Sequence, residues 1–153
     1  MSESKANAEA LRDLREQHIG RLLLQAQRAF NQVAIAKLQQ RGYAGLSLAH
    51  TALLPHLDLE GTRITTLAER AGITKQGMGQ LVTDLERQGL VSRAQDPADG
   101  RASLVTFTEA GWAYLQAAHE VKREMEAEYA ALLGEEKFAE LRLLLHKVID
   151  SVE

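Results

Sequence analysis

From Glu9 to about Gln40, Leu11, Leu14, Leu22, Ala26, Phe30 and Val33 recur at helical spacing among Gln, Arg and Ala, which predicts one long helix. The glycines of Arg41-Gly42-Tyr43-Ala44-Gly45 end it. A second helix is expected after Ser47, a suitable N-cap, with Leu48, Ala52, Leu53 and Leu57 inward and Pro55 kinking or shortening its last turn. Beyond the connector Asp58-Leu59-Glu60-Gly61, Ile64 to Gly72 reads as a short helix in which Thr66 and Glu69 have capping-box spacing. Thr74 then caps a helix from Lys75 to Gln88 that carries Met78, Leu81, Val82 and Leu85 on one face and stops at Gly89. Two helices so closely joined make a helix-turn-helix.

The period then changes. Leu90-Val91-Ser92-Arg93-Ala94 and Ser103-Leu104-Val105-Thr106-Phe107 favour strands, and the turn formers Asp96-Pro97-Ala98-Asp99-Gly100 lie between them, so a β-hairpin wing is expected. Thr108 caps a third long helix with Leu115, Ala118, Met125, Tyr129 and Leu132 on one side, ending at Gly134. A last helix runs from Glu135 to the end. In it Phe138, Leu141, Leu145, Val148 and Val152 step by 3, 4, 3 and 4, the spacing of a seam between helices. The fold class is therefore mainly α with a small β wing: a winged helix-turn-helix at 46–108, flanked by dimerisation helices at 1–45 and 109–153.

Composition narrows the function. A chain of 153 residues, 45% hydrophobic and 25% charged, suits one compact unit and leaves no room for separate cofactor and substrate domains. With no cysteine it has no disulfides, thiolate zinc sites, cysteine nucleophile or thiol redox sensor. Its aliphatic runs are only triplets, far short of a membrane span, and its polar start is unlike a signal peptide, so a cytoplasmic protein is expected. The net charge of −3 argues superficially against a nucleic-acid partner. Its distribution answers that: residues 1–61 and 62–105 are each net +1, and residues 106–153 carry −5.

A helix-turn-helix followed by a hairpin places its second helix in the major groove of DNA and its wing against the adjacent backbone and minor groove. Thr74, Lys75, Gln76, Gln80, Thr83 and Arg87 are the positions of that helix not needed for packing. Thr74 and the free N–H groups of the helix start suit a phosphate, Lys75 a phosphate or guanine, and Gln76 and Gln80 base edges such as adenine. Gly77 and Gly79 cost helix stability, which suggests close approach of the backbone to DNA or to another helix. In the wing, Arg101 suits a narrow minor groove or a phosphate, pre-oriented by Asp99. Arg93 reads equally as a backbone contact or a solvated strand charge.

Several segments together resemble the MarR family of transcriptional regulators. They are Ile64-Thr65-Thr66-Leu67-Ala68-Glu69-Arg70-Ala71-Gly72-Ile73-Thr74-Lys75-Gln76, Leu81-Val82-x-x-Leu85-Glu86-Arg87-Gln88-Gly89-Leu90-Val91, Asp96-Pro97-Ala98-Asp99-Gly100-Arg101 and Leu104-Val105-x-Phe107-Thr108-Glu109-Ala110-Gly111. The resemblance implies a winged-helix homodimer, joined by its terminal helices, that binds a pseudo-palindromic operator and loosens when a small aromatic or phenolic ligand occupies a pocket near the interface. The family's Asp-x-Arg wing signature falls on Asp99 and Arg101, whereas Gly100 stands where a second arginine is common.

A dimer also follows from geometry, because one helix-turn-helix reads few base pairs and a two-fold pair reads two half-sites. Leu11, Leu14, Phe138, Leu141, Leu145, Val148 and Val152 are the expected interface. Tyr43, His50, Leu54, His56 and Trp112 are the expected pocket lining, apolar with a few polar groups. No metal site is expected, since His50 and His56 do not share a helical face and no acidic pair completes them. Nor is a cofactor. No nucleophile–base pair, phosphate loop or metal cluster supports an enzyme, so the remaining alternative is a winged helix that binds protein rather than DNA.

Overall fold

In the computed structural model, which describes Leu11 and residues 18–152, a helical body carries one small sheet. Helix α1 spans Ile19–Gln40. It does not continue unbroken from Glu9, because His18 is extended (ψ 145°) and its Nδ1 accepts the Arg21 N–H as an N-cap. Leu11 is helical and exposed, and Leu14 lies outside the described residues.

The second helix of the sequence reading is replaced by two 3-10 turns, Leu48–Ala52 and Leu54–His56. Pro55 stands in the first positions of the second turn, where its ring is incompatible with a continuous i to i−4 ladder. Leu53, Leu54 and Leu57 are buried, whereas Leu48 is exposed. Strand β1, Thr62–Arg63, leads directly into α2, Ile64–Ala71. The N-cap is therefore Arg63, and Thr66 lies inside the helix: the capping box is not formed, because pairing of β1 with Leu104 and Val105 starts the helix earlier. Gly72 closes it in the left-handed region at φ 65°.

Helix α3, Lys75–Arg87, buries Met78, Val82 and Leu85 completely. Strands β2, Val91–Asp96, and β3, Asp99–Phe107, complete a three-stranded antiparallel sheet of order β1-β3-β2. Helix α4, Glu109–Leu133, begins at Thr108, whose hydroxyl accepts the Gly111 N–H at 3.0 Å. Its buried face is Tyr114, Ala118, Val121 and Met125. Leu132, expected on that face, is 77% exposed because the end of α4 runs past the core. Helix α5, Glu135–Asp150, buries no residue.

A single hydrophobic core joins these parts. Ile35 and Leu38 of α1 and Tyr114 to Met125 of α4 pack with Leu67, Met78, Val82, Leu85, Val105 and Phe107. Lys37 pairs with Glu128 at 2.8 Å, and Arg41 pairs with Glu124, adding a polar seam between α1 and α4. The helix-turn-helix shares its core with the long helices.

Candidate nucleic-acid interface

Sequence chemistry sets the start of α3. Thr74 is extended, and its hydroxyl accepts the Gly77 N–H at 3.1 Å, leaving other first-turn N–H groups directed outward. Lys75, Gln76 and Gln80 follow on the exposed side, and Arg87 lies further along, 3.4 Å from Asp84. Thr83 behaves differently: its hydroxyl donates to the Gly79 carbonyl at 2.9 Å.

The two helix glycines separate cleanly. A Cβ on Gly77 would press on the Thr74 hydroxyl at 3.2 Å, so that glycine protects the cap. A Cβ on Gly79 would meet nothing within 4 Å, so close approach to another helix of the chain does not explain it.

The wing is tighter than the strand pattern suggests. Its strands extend to Asp96 and Asp99, which face each other across Pro97-Ala98, so Gly100 lies in β3 rather than in the turn, and Arg101 follows it in the strand. Both aspartates act as turn makers: Asp96 accepts the Ala98 N–H at 2.8 Å and Asp99 accepts the Arg101 N–H at 3.1 Å. Asp99 therefore holds the Arg101 backbone, and no Asp99–guanidinium ion pair forms. Asp96 also takes the Arg63 Nε at 2.5 Å, anchoring the wing to β1. The Ala98 N–H and the Arg63 guanidinium hold the Asp96 carboxyl below the usual carboxylate range.

Among the described residues, most basic side chains of the winged helix are committed. Arg63 pairs with Asp96, Arg70 with Asp58, Arg87 with Asp84 and Arg93 with Glu86. Lys75 and Arg101 alone within 62–105 have no carboxylate partner, and both are exposed. Arg93 is exposed, and its guanidinium is held against α3 by Glu86, Gly79 and Thr83.

The expected pocket residues do not come together. Tyr43 packs edge-on against Tyr114, with centroids 5.4 Å apart. Trp112 lies against Phe107 and is 45% exposed, while the His56 carbonyl accepts from Arg70. His50 is buried toward α3, where its Nδ1 accepts the Ser47 N–H at 3.0 Å and its Nε2 has no partner among the described residues. Burial pushes this imidazole below its ordinary value, and Asp84 opposes the shift only in part.

Of that set Leu54 lines a cavity of about 270 Å³ between α1, the 3-10 turns and α4, while His50 borders a separate, more open hollow with Asp84 and Arg87. Phe30, Ala34, Tyr114 and Leu115 give the cavity apolar walls, and Asn31, Thr51, His119 and Lys122 supply polar groups. Burial pushes the Tyr114 phenol up to about 12, so it stays neutral. These residues come from three distant segments, and no local motif marks them.

Among the described residues no helix is long and apolar enough to cross a membrane, and no cluster of three His, Asp or Glu side chains is arranged to hold a metal ion.

Comparison with known proteins agrees with this geometry. The MarR family model matches residues 44–102, the segment from the 3-10 turns to the wing. Transcriptional regulator HosA of Escherichia coli O111:H- is 30% identical over 94 residues, which cover 61% of this chain and 70% of HosA. An uncharacterised HTH-type transcriptional regulator of Mycobacterium bovis is 33% identical over 90 residues, 58% of this chain, and the match spans 63% of that regulator's length. The structure of the transcriptional repressor CouR bound to a 23-mer DNA duplex is similar with a TM-score of 0.67 at 22% identity, covering 88% of this chain and 94% of CouR, a likeness of fold. The winged helix built here and these matches have one meaning: the chain belongs to the MarR family of transcriptional regulators, not to a family of enzymes.

Proposed function

We propose that this chain is a repressor that binds a pseudo-palindromic DNA operator as a homodimer. The observation that carries the reading is the placement of unpaired Lys75 at the start of α3 and unpaired Arg101 on the wing, with exposed Gln76 and Gln80 on α3. Thr74 and the α3 N-terminus take a phosphate, Lys75 a phosphate or guanine, and Gln76 and Gln80 the base edges of the major groove. Arg101 reaches the minor groove or its flanking phosphates, with Asp99 fixing the backbone from which it projects. CouR, which shares the fold, is a transcriptional repressor whose structure is bound to a 23-mer DNA duplex.

The dimer rests on α5. Leu141, Leu145 and Val148 are 42%, 37% and 57% exposed on one stripe of the helix, and Val152, which the sequence reading put in it, lies 87% exposed in the turn past its end at Asp150. A two-fold partner covers the stripe and sets two α3 helices at half-site spacing. The 270 Å³ cavity, apolar with a few polar groups, suits a small aromatic or phenolic ligand. It lies between the helices that join dimer to DNA-binding lobe, so a ligand that binds better at one spacing shifts the pair away from the operator.

Duplex binding measured against salt tests the DNA reading. Counterion release makes affinity fall steeply between about 50 and 200 mM salt. A winged helix that binds protein instead retains no duplex at either concentration.

A further inference from the structure

Arg93 of β2 lies two residues from buried Val91, so the pleat turns its side chain to the face that packs on α3. There it spans two turns of that helix. Its Nη1 donates to Glu86 Oε2 at 2.6 Å, while Nη2 donates to the Gly79 carbonyl at 3.1 Å and to Thr83 Oγ1 at 3.0 Å. Its backbone N–H donates to Glu86 Oε1 at 3.1 Å. Among the described residues, Arg93 makes every side-chain hydrogen bond between the wing strands and α3.

We propose that Arg93 and Glu86 form a positioning strut that fixes the wing's Arg101 relative to the base-reading face of α3, without touching DNA themselves. The planar guanidinium suits this task, since its fork satisfies a carboxylate and a helix carbonyl together. Gly79 and Thr83 supply the other end, so these helix positions serve the wing rather than the groove. The proposal rests on the DNA-binding reading and adds a coupling to it: Arg101 contributes only while the strut holds.

Operator affinity as a function of KCl, for wild type, Arg93→Gln, Arg101→Ala and the double variant, tests this. A lost phosphate contact lowers the salt slope by about one. The strut predicts that Arg93→Gln weakens binding about tenfold and changes the salt slope by the same amount as Arg101→Ala, with no further change in the double variant. It also predicts that Arg101→Ala, costly alone, changes affinity by less than about twofold in the Arg93→Gln background, a non-additivity between side chains that do not touch. Glu86→Gln is the second probe should Arg93→Gln fold poorly. A strut makes Glu86→Gln weaken binding although it removes a negative charge, whereas a phosphate-bound Arg93 makes it tighten binding. A slope in the double variant lower by about one than that of Arg101→Ala alone, full additivity with Arg101→Ala, or tighter binding by Glu86→Gln each overturns the strut. Wild type that retains no duplex at any salt overturns the DNA reading first, and the strut with it.

Discussion

Two glycines make opposite predictions at the scale of single residues. A Cβ on Gly111 would fall 2.0 Å from the Leu90 carbonyl oxygen, so Gly111→Ala forces α4 off the sheet and destabilises by about 1–3 kcal/mol or more in urea unfolding. Gly79→Ala adds a methyl to open space and removes glycine's entropic cost, so it stabilises by up to about 1 kcal/mol in the same assay. Gln76→Ala or Gln80→Ala, on the exposed side of α3 proposed to face the groove, is expected to relax sequence preference at single operator positions, each by about 1–3 kcal/mol in competition binding. The identity of such groups is legible in a sequence; their commitments are not. Glu86 and Arg93 are seven residues apart across a helix end and a strand start, and only the packing of β2 on α3 brings them together. The lining of the 270 Å³ cavity is hidden in the sequence for the same reason: Phe30, Thr51 and Tyr114 meet through tertiary packing, and no local period announces it.

At the scale of elements, local chemistry was most legible where a cap or a stop acts alone. Thr74, Thr108, Gly72, Gly89 and Gly134 all stand where the sequence puts them. Failures occurred where a neighbouring element overrode the local signal. Sheet pairing at Thr62 and Arg63 moved the start of α2 ahead of the Thr66 capping box, and Pro55 with the buried His50 split the second helix into 3-10 turns. That turn gives a pH prediction. Because burial holds the folded imidazole of His50 below its ordinary value, the unfolded chain takes up a proton first as pH falls. Stability from His50 is therefore complete above about 6.5 and is lost as pH falls from there to the depressed folded value. Asn at position 50 offers an oxygen to the Ser47 N–H and does not titrate, so His50→Asn flattens the dependence in thermal melts between about pH 5 and 7. An unchanged slope in that variant would assign the titration elsewhere.

For the molecule as a whole, the described residues leave an apolar face of α5 exposed. Sequence spacing identified the α5 stripe, and its exposure shows that the chain's own α1 does not cover it. Leu141→Glu with Leu145→Glu places charge in the proposed seam, and light scattering is expected to report a monomer whose operator binding is much weaker. An unchanged dimer mass in that variant would place the interface on another face. What sequence could not supply at this scale is relative placement: how far apart two α3 helices stand depends on how α4 and α5 dock, and no motif encodes that distance.

Paired copies of this winged helix are proposed to read a two-fold DNA site. Selection of random and genomic duplexes on the purified protein at moderate salt, followed by sequencing of what is retained, tests it most directly. Enrichment of an inverted repeat whose half-sites lie about one helical turn apart is the predicted result. Retention of duplexes without any enriched sequence, or of none at all, would contradict it.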